Sequence, residues 1–301
     1  MSLKSIVNLL AWIKPALRSI SRSPAWLYLK RDIRTWVGLA LIVTIVGTAI
    51  FADFIAPFDI RERAGDPHQP PGGRYILGTD HLGRDVFSRL IHGSRSALMV
   101  GLLLVSVTGS IGITLGLLAG YYGGKVDGAI MRAVDIALSF PGLVLAAAFV
   151  GFFGSGLRNL IIALSLTGWA GFARVTRGQC LAIRKEEYVE AAHAIGEKPR
   201  TIMLRYIFPN AVSPLIVMIT MTLPVAIILA SAMSFLGLGV PPDSADWGAM
   251  LYQAQGAIKD GIWWPALFPG LAIMITVLGF NFFGDALRDA LDPRLRHGRH
   301  G

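Results

Sequence analysis

Charge is distributed along this chain in a way that leaves few folds open. Six stretches, Trp36–Ala52, Ala97–Gly120, Val134–Phe153, Leu160–Ala173, Val212–Leu238 and Ala266–Phe283, are almost free of charged residues, while Lys, Arg, Asp and Glu collect between them. Asp135, at the edge of the third run, is the one ionisable side chain inside them. Most of these runs approach the ~20 apolar residues needed to cross ~30 Å of hydrocarbon as a helix, although the fourth is short. In that medium every backbone N–H and C=O must be satisfied internally, so helices are the expected form. Only 16% of the 301 residues are charged against 53% hydrophobic, where a soluble domain carries about 25% charged residues. The expected fold class is all-α, a polytopic membrane protein of six transmembrane helices.

The net charge of +9 would suit a nucleic-acid partner only if the basic residues shared one soluble face. They lie in loops and tails instead, so no nucleic acid is expected. Six crossings put both termini on one side. On that arrangement 20 of the 28 Lys and Arg fall on the terminal side and 8 on the other, which makes the terminal side cytoplasmic. Residues 1–35 form a basic cytoplasmic tail whose segment Ile6–Ile20 suits the lipid surface, and Lys14 and Pro15 within it argue against a cleaved signal peptide.

Several features locate bends and contacts. Gly112, Gly116 and Gly120 recur every four residues in the second run and allow close helix approach. Pro141 is expected to kink the third. Asn210 is a candidate N-cap for the fifth, in which Ala226, Ala230, Ser231 and Ser234 fit either a pathway wall or simple helix packing. Trp247, Trp263 and Trp264, in what reads as the loop 241–264, suit an interfacial belt.

Catalytic and metal chemistry find little support. There is no HExxH, CxxC or GxSxG. Gly123-Gly124-Lys125 fails as a phosphate loop, because Ala119 and Val126 occupy the positions of its first glycine and its Ser/Thr. Cys180 is the only cysteine; it excludes an internal disulfide and reads as a reduced thiol in a cytosolic loop. No cofactor, no metal and no enzymatic activity are expected. The spans also lack the buried acids and bases of an ion-driven carrier.

Between the fourth and fifth runs lies a polar island, residues 177–210. Leu181, Tyr188, Ala191, Ala192 and Ile195 fall three, four or seven apart and read as one helix face. Gly196 ends that helix and Pro199 starts a second, giving an exposed hairpin. Glu190-Ala191-Ala192, three residues, Gly196, and then Pro209 resemble the EAA loop of permease subunits from binding-protein-dependent ABC importers, with Tyr206 and Phe208 standing where aliphatic residues and leucine are usual. Leu77-Gly78-Thr79-Asp80-His81-Leu82-Gly83-Arg84-Asp85 is similar to a signature of the dipeptide/oligopeptide/nickel branch, as is the DxLRDxLDP ending at Pro293. From the residues alone, capping by Thr79 or Asp80 and a local ion pair explain the Asp80–Asp85 charges.

The resemblance implies a type I permease fold in the bacterial inner membrane: a first helix with its periplasmic loop over 36–95, a core of five transmembrane helices over 96–288 and a cytoplasmic tail over 289–301. It implies a second homologous permease, two ATP-binding cassette ATPases, a periplasmic substrate-binding protein and membrane lipid as partners. Tyr188, Glu190, Ala191, Ala192, Gly196 and Pro209 are carried over as the ATPase-coupling residues, and di- or oligopeptides as the cargo, ahead of nickel or glutathione. A self-sufficient carrier would be distinguished by working without ATPase partners, and a scaffold protein by binding partners without substrate flux.

Overall fold

The computed structural model describes residues 29–241 and 243–291, and within them the chain is helical, without a named strand. In chain order the helices are α1 (Ile33–Ile50), α2 (Ala52–Ile55), α3 (Val86–Tyr122), α4 (Gly124–Ser139), α5 (Gly142–Phe153), α6 (Leu157–Ile183), α7 (Glu187–Ala194) and α8 (Pro199–Thr201). A π-helical turn (Ile202–Ile207) then leads into α9 (Phe208–Phe235), followed by α10 (Trp247–Lys259) and α11 (Trp264–Leu291). The expected surface segment Ile6–Ile20 and the tail beyond Leu291 lie outside the described residues.

A helix stands at each of the six predicted places, and among the described residues four or five of them are long and apolar enough to cross a membrane by length and composition. Helices α1, α3, the continuous 199–235 segment and α11 are each long and apolar enough to cross a membrane, and the pair α4–α5 makes a fifth if taken together. The helix at the place of the fourth span, α6, is not among them; Arg158 and Arg174 bound its charge-free stretch, 159–173. The expected kink at Pro141 is a turn of 82° between two separate helices. Phe140, at φ −92° and ψ 139°, has left the helical region, as the residue before a proline tends to.

The core is the packing of α3 on α6. The glycine row lies along this contact: a Cβ on Gly116 would sit 2.5 Å from the Ala173 carbonyl oxygen and 2.6 Å from the Thr176 Cβ, and one on Gly120 would sit 2.6 Å from the Cys180 Cβ. Phe172, Ala173, Thr176 and Cys180 are fully buried there. Cys180 is therefore a core residue of α6, not a loop thiol, and its Sγ points to the Leu117 carbonyl at 3.8 Å.

Helix α9 follows a rule of its own. Pro209 lacks an N–H and would crowd the carbonyl four residues back, so the chain widens into a π turn, in which the Phe208 N–H donates to the Met203 carbonyl. Asn210 sits inside the helix, not at its N-cap; its Nδ2 donates 2.6 Å to the Tyr206 carbonyl. Of the four small residues read either as a pathway wall or as helix packing, Ala226, Ala230 and Ser234 are buried in the bundle, as packing requires, and Ser231 is half-buried.

Replacing Gly116 by Leu forces the α3 and α6 backbones apart, and overpacking of this kind costs about 1–3 kcal/mol. The expected result is a lower melting temperature of the detergent-solubilised protein in a fluorescence-detected unfolding scan, with Gly128→Leu, at an open position, close to wild type.

Candidate functional site

Two polar regions lie at opposite ends of α3. At its C-terminal end stands the hairpin. Helix α6 stops at Ile183, the chain turns through Arg184–Glu186, and α7 begins with Glu187 and Glu190 in its first turn, where the helix dipole favours acids. His193 in the last turn matches the opposite pole. The helix closes with a full Schellman motif: the Gly196 N–H donates to the His193 carbonyl (3.0 Å) and the Glu197 N–H to the Ala192 carbonyl (3.1 Å). Gly196 has φ +81°, which glycine tolerates and L residues rarely adopt. Pro199 then opens α8.

The face expected for this helix is divided by the fold. Leu181 belongs to α6. Ala192 is 3% exposed and turns inward with Val189, against Leu117, Tyr121, Cys180, Ile202, Met203 and Ile207. Tyr188, Ala191 and Ile195, at positions i, i+3 and i+7, point outward instead; Tyr188 is 42% and Ile195 76% exposed. Glu187 and Glu190 flank this exposed apolar stripe, Gly196 is exposed at the turn, and Pro209 lies apart in the first turn of α9. Residue spacing put Ala192 on the same face as Tyr188, Ala191 and Ile195 and did not point to Val189, which the fold pairs with Ala192. The Tyr121 ring stacks on the His193 ring (centroids 5.7 Å, planes 16° apart), and the Arg184 guanidinium lies 5.8 Å from the Tyr121 centroid.

At the N-terminal end of α3 the chain gathers a buried charge cluster. Asp80 accepts from Arg84 Nε at 2.7 Å and from the Leu82 and Arg84 N–H groups. Arg84 donates to Gln253 on α10 (2.7 Å), and the fully buried Arg89 donates to the Ile60 and Ser244 carbonyls. The expected local ion pair is thus present, whereas the cap of α3 is Asp85, which accepts from the Ser88 N–H at 2.7 Å. Thr79 has a different task, donating to the Asp66 carbonyl and accepting from the Gln69 N–H.

The segment read as a loop over 241–264 contains helix α10. Of the three tryptophans assigned to an interfacial belt, only Trp263 is exposed. Trp247 and Trp264 are buried, donating from Nε1 to the Leu90 and Thr79 carbonyls at 2.9 and 3.1 Å. Among the described residues no group of three His, Cys, Asp or Glu is placed to hold a metal ion.

Within the described residues the chain is a helical bundle that exposes a short, glycine-closed hairpin carrying an apolar stripe. Residues 112–297 match the family described as binding-protein-dependent transport system inner membrane component, and residues 23–71 match the N-terminal transmembrane domain of oligopeptide transport permease C. The chain is 40% identical over 290 residues to the glutathione transport system permease protein GsiD of Pectobacterium atrosepticum, covering 94% of this chain and 95% of that one. It is 42% identical over 267 residues to the di/tripeptide transport system permease protein DppC of Pseudomonas aeruginosa, covering 86% and 88%. Its fold is similar to that of the MetNI methionine ABC transporter, with a TM-score of 0.55 at 21% identity over 68% of this chain and 96% of that one. The chain belongs to the binding-protein-dependent transport system inner membrane component family: it is a non-catalytic permease subunit of an ABC importer, a class that works with ATPase and substrate-binding partners.

Removing the carboxylate in Asp80→Ala strands Arg84 and Arg89 without their buried counter-charge, a loss of about 3–5 kcal/mol for a buried pair. The expected readout is reduced assembly of the full-length protein on size exclusion, with Asp59→Ala, an exposed acid, unchanged. Burial of His81 holds its pKa below the ordinary value of 6.5, so the folded loop binds fewer protons than the unfolded one. Its stabilising contribution is complete above pH 6.5 and is lost as pH falls through the depressed folded value. Hydrogen-exchange protection factors of residues 77–85, which are already corrected for the intrinsic rate, are expected to fall between pH 7.5 and 5.5, and to fall less in His81→Gln.

Proposed function

We propose that this chain forms half of the translocation pathway of an ATP-driven importer of short peptides and that the 177–210 hairpin couples it to cytosolic ATPases. The observation that carries the coupling is the stripe Tyr188–Ala191–Ile195. It is apolar, exposed, and set on a helix whose other face is locked into the bundle. An amphipathic helix that offers a second apolar stripe to a groove is a recurrent docking device. In this reading Tyr188, Glu190 and Ala191 meet the ATPase, Ala192 seats the helix on its own chain, and Gly196 and Pro209 fix the two turns that aim it. A second homologous permease, two ATPases and a periplasmic binding protein complete the assembly, and both termini face the cytoplasm.

Short peptides are the cargo class that the named relatives share, since glutathione is itself a tripeptide. An open groove of about 470 Å³ between α3 and α9 supports the pathway role, with Ser106, Ser110 and Thr114 along its α3 wall among apolar neighbours. These hydroxyls suit a passing peptide backbone, and a second subunit would close the open side. Nickel remains the alternative cargo, distinguished by uptake of ⁶³Ni²⁺ in place of labelled peptide.

The test is purification of the tagged chain in mild detergent, followed by identification of co-purifying ATPase. Ala191→Arg is expected to lower ATPase recovery at least about tenfold, as loss of one well-packed contact residue does. Gly196→Pro removes the Schellman donor and forbids φ +81°, and is expected to abolish peptide uptake while the protein still inserts. Full ATPase recovery and uptake by both variants would leave the docking role without support.

A further inference from the structure

Helix α3 is one unbroken rod of 37 residues with no proline, about 55 Å long at 1.5 Å per residue. Each of its ends is held by a different functional region. At the C-terminal end, Tyr121 is 6% exposed and meets both a ring and a cation from the hairpin. His193, from α7, lies nearly parallel to it at 5.7 Å, Arg184, from the α6–α7 turn, contributes its guanidinium at 5.8 Å, and Tyr122 meets its edge at 5.2 Å. At the N-terminal end, Arg89 is bonded to the Ile60 carbonyl of the preceding loop and the Ser244 carbonyl before α10, while Trp247 of α10 donates to Leu90. Between these ends the glycine row keys α3 to α6, the helix that leads into the hairpin.

Resting on the proposed docking of the hairpin, we infer that Tyr121 is the positioning residue through which hairpin displacement moves α3, and that α3 delivers this movement to the Arg84–Arg89–α10 cluster at its far end. Tyr121 touches neither cargo nor ATPase. It acts by keeping α7 and α3 in register: a stacked ring and a cation resist sliding more than the aliphatic contacts of Val189 and Ala192 do, because they depend on plane, distance and offset. A packed two-state element biased at one end is the physical form that coupling between distant sites takes.

The experiment uses the full complex in nanodiscs with a nitroxide on Leu82→Cys, an exposed position beside the far cluster. The chain's own Cys180 is buried, and the label's signal is taken as the difference from the Leu82 parent complex. Addition of MgATP and vanadate is expected to change the label's mobility. In Tyr121→Ala and in His193→Leu, which alters only an exposed hairpin residue, that response is expected to fall about fivefold or more, with ATPase subunits still bound and ATP still hydrolysed. Tyr121→Phe keeps the ring and is expected to restore it. A full response in Tyr121→Ala, an equal loss in Tyr121→Phe, or loss of bound ATPase from both Tyr121→Ala and His193→Leu would each overturn the inference. Retention of ATPase by Ala191→Arg would instead overturn the docking reading on which it rests.

Discussion

In a bilayer two apolar helices gain nothing by leaving lipid for each other, so association depends on how closely their backbones can approach. Here that approach is provided by Gly112, Gly116 and Gly120, which bring α3 against Trp169, Phe172, Ala173, Thr176 and Cys180 of α6. Almost everything else is positioned relative to this pair. Helix α9 crosses α3 where a Cβ on Gly101 would meet Ile227 at 2.9 Å. Helix α4 is tied back to α6 by the Asp127–Arg177 and Asp135–Arg174 ion pairs. Arg174 and Arg177, at the polar end of α6, are thus the residues that fasten its neighbour.

A second such contact holds the chain's ends. Gly38 of α1 packs on Gly279 and Phe283 of α11, and Arg34 bridges Asp32 and Asp289 at the same end of the pair. The Asp32 carboxyl is held below its ordinary range chiefly by its hydrogen bond from Arg34. At the other end of α1, Arg95 of α3 grips Asp53 at 2.9 Å and the Ile50 carbonyl at 3.1 Å. These partly exposed pairs contribute modest energy, and their geometric effect is to fix how far α1 can slide.

Legibility in the sequence followed the physical range of each signal. Apolar runs, the Gly196 turn and Pro199 are local, and each appears where spacing placed it, as does the glycine row. What spacing could not supply was tertiary. Tyr188, Ala191, Ala192 and Ile195 share a helical period, but only Cys180, Ile202 and Ile207 packing beneath α7 decides that Ala192 turns inward while the others stay out. Trp247 and Trp264 read as interfacial because tryptophan favours that depth, and they are buried because the Leu90 and Thr79 carbonyls accept their N–H groups. Asn210 looked like a cap because the widening of the helix by Pro209 is invisible to a rule that counts apolar residues.

The division of the hairpin explains why one short helix can both belong to the bundle and stand out from it. Its inner face of Val189 and Ala192 offers little area, since alanine contributes a methyl and valine three carbons, so hydrophobic burial alone would hold it weakly. The Schellman closure at Gly196, the dipole-matched acids of the first turn and the Tyr121–His193 stack add restraint without consuming the outer face. A larger residue at Ala192 would seat the helix more firmly only by lifting it off Cys180 and Ile207. Small side chains thus let eight residues carry two surfaces: one close against the chain's own core, and one apolar and exposed.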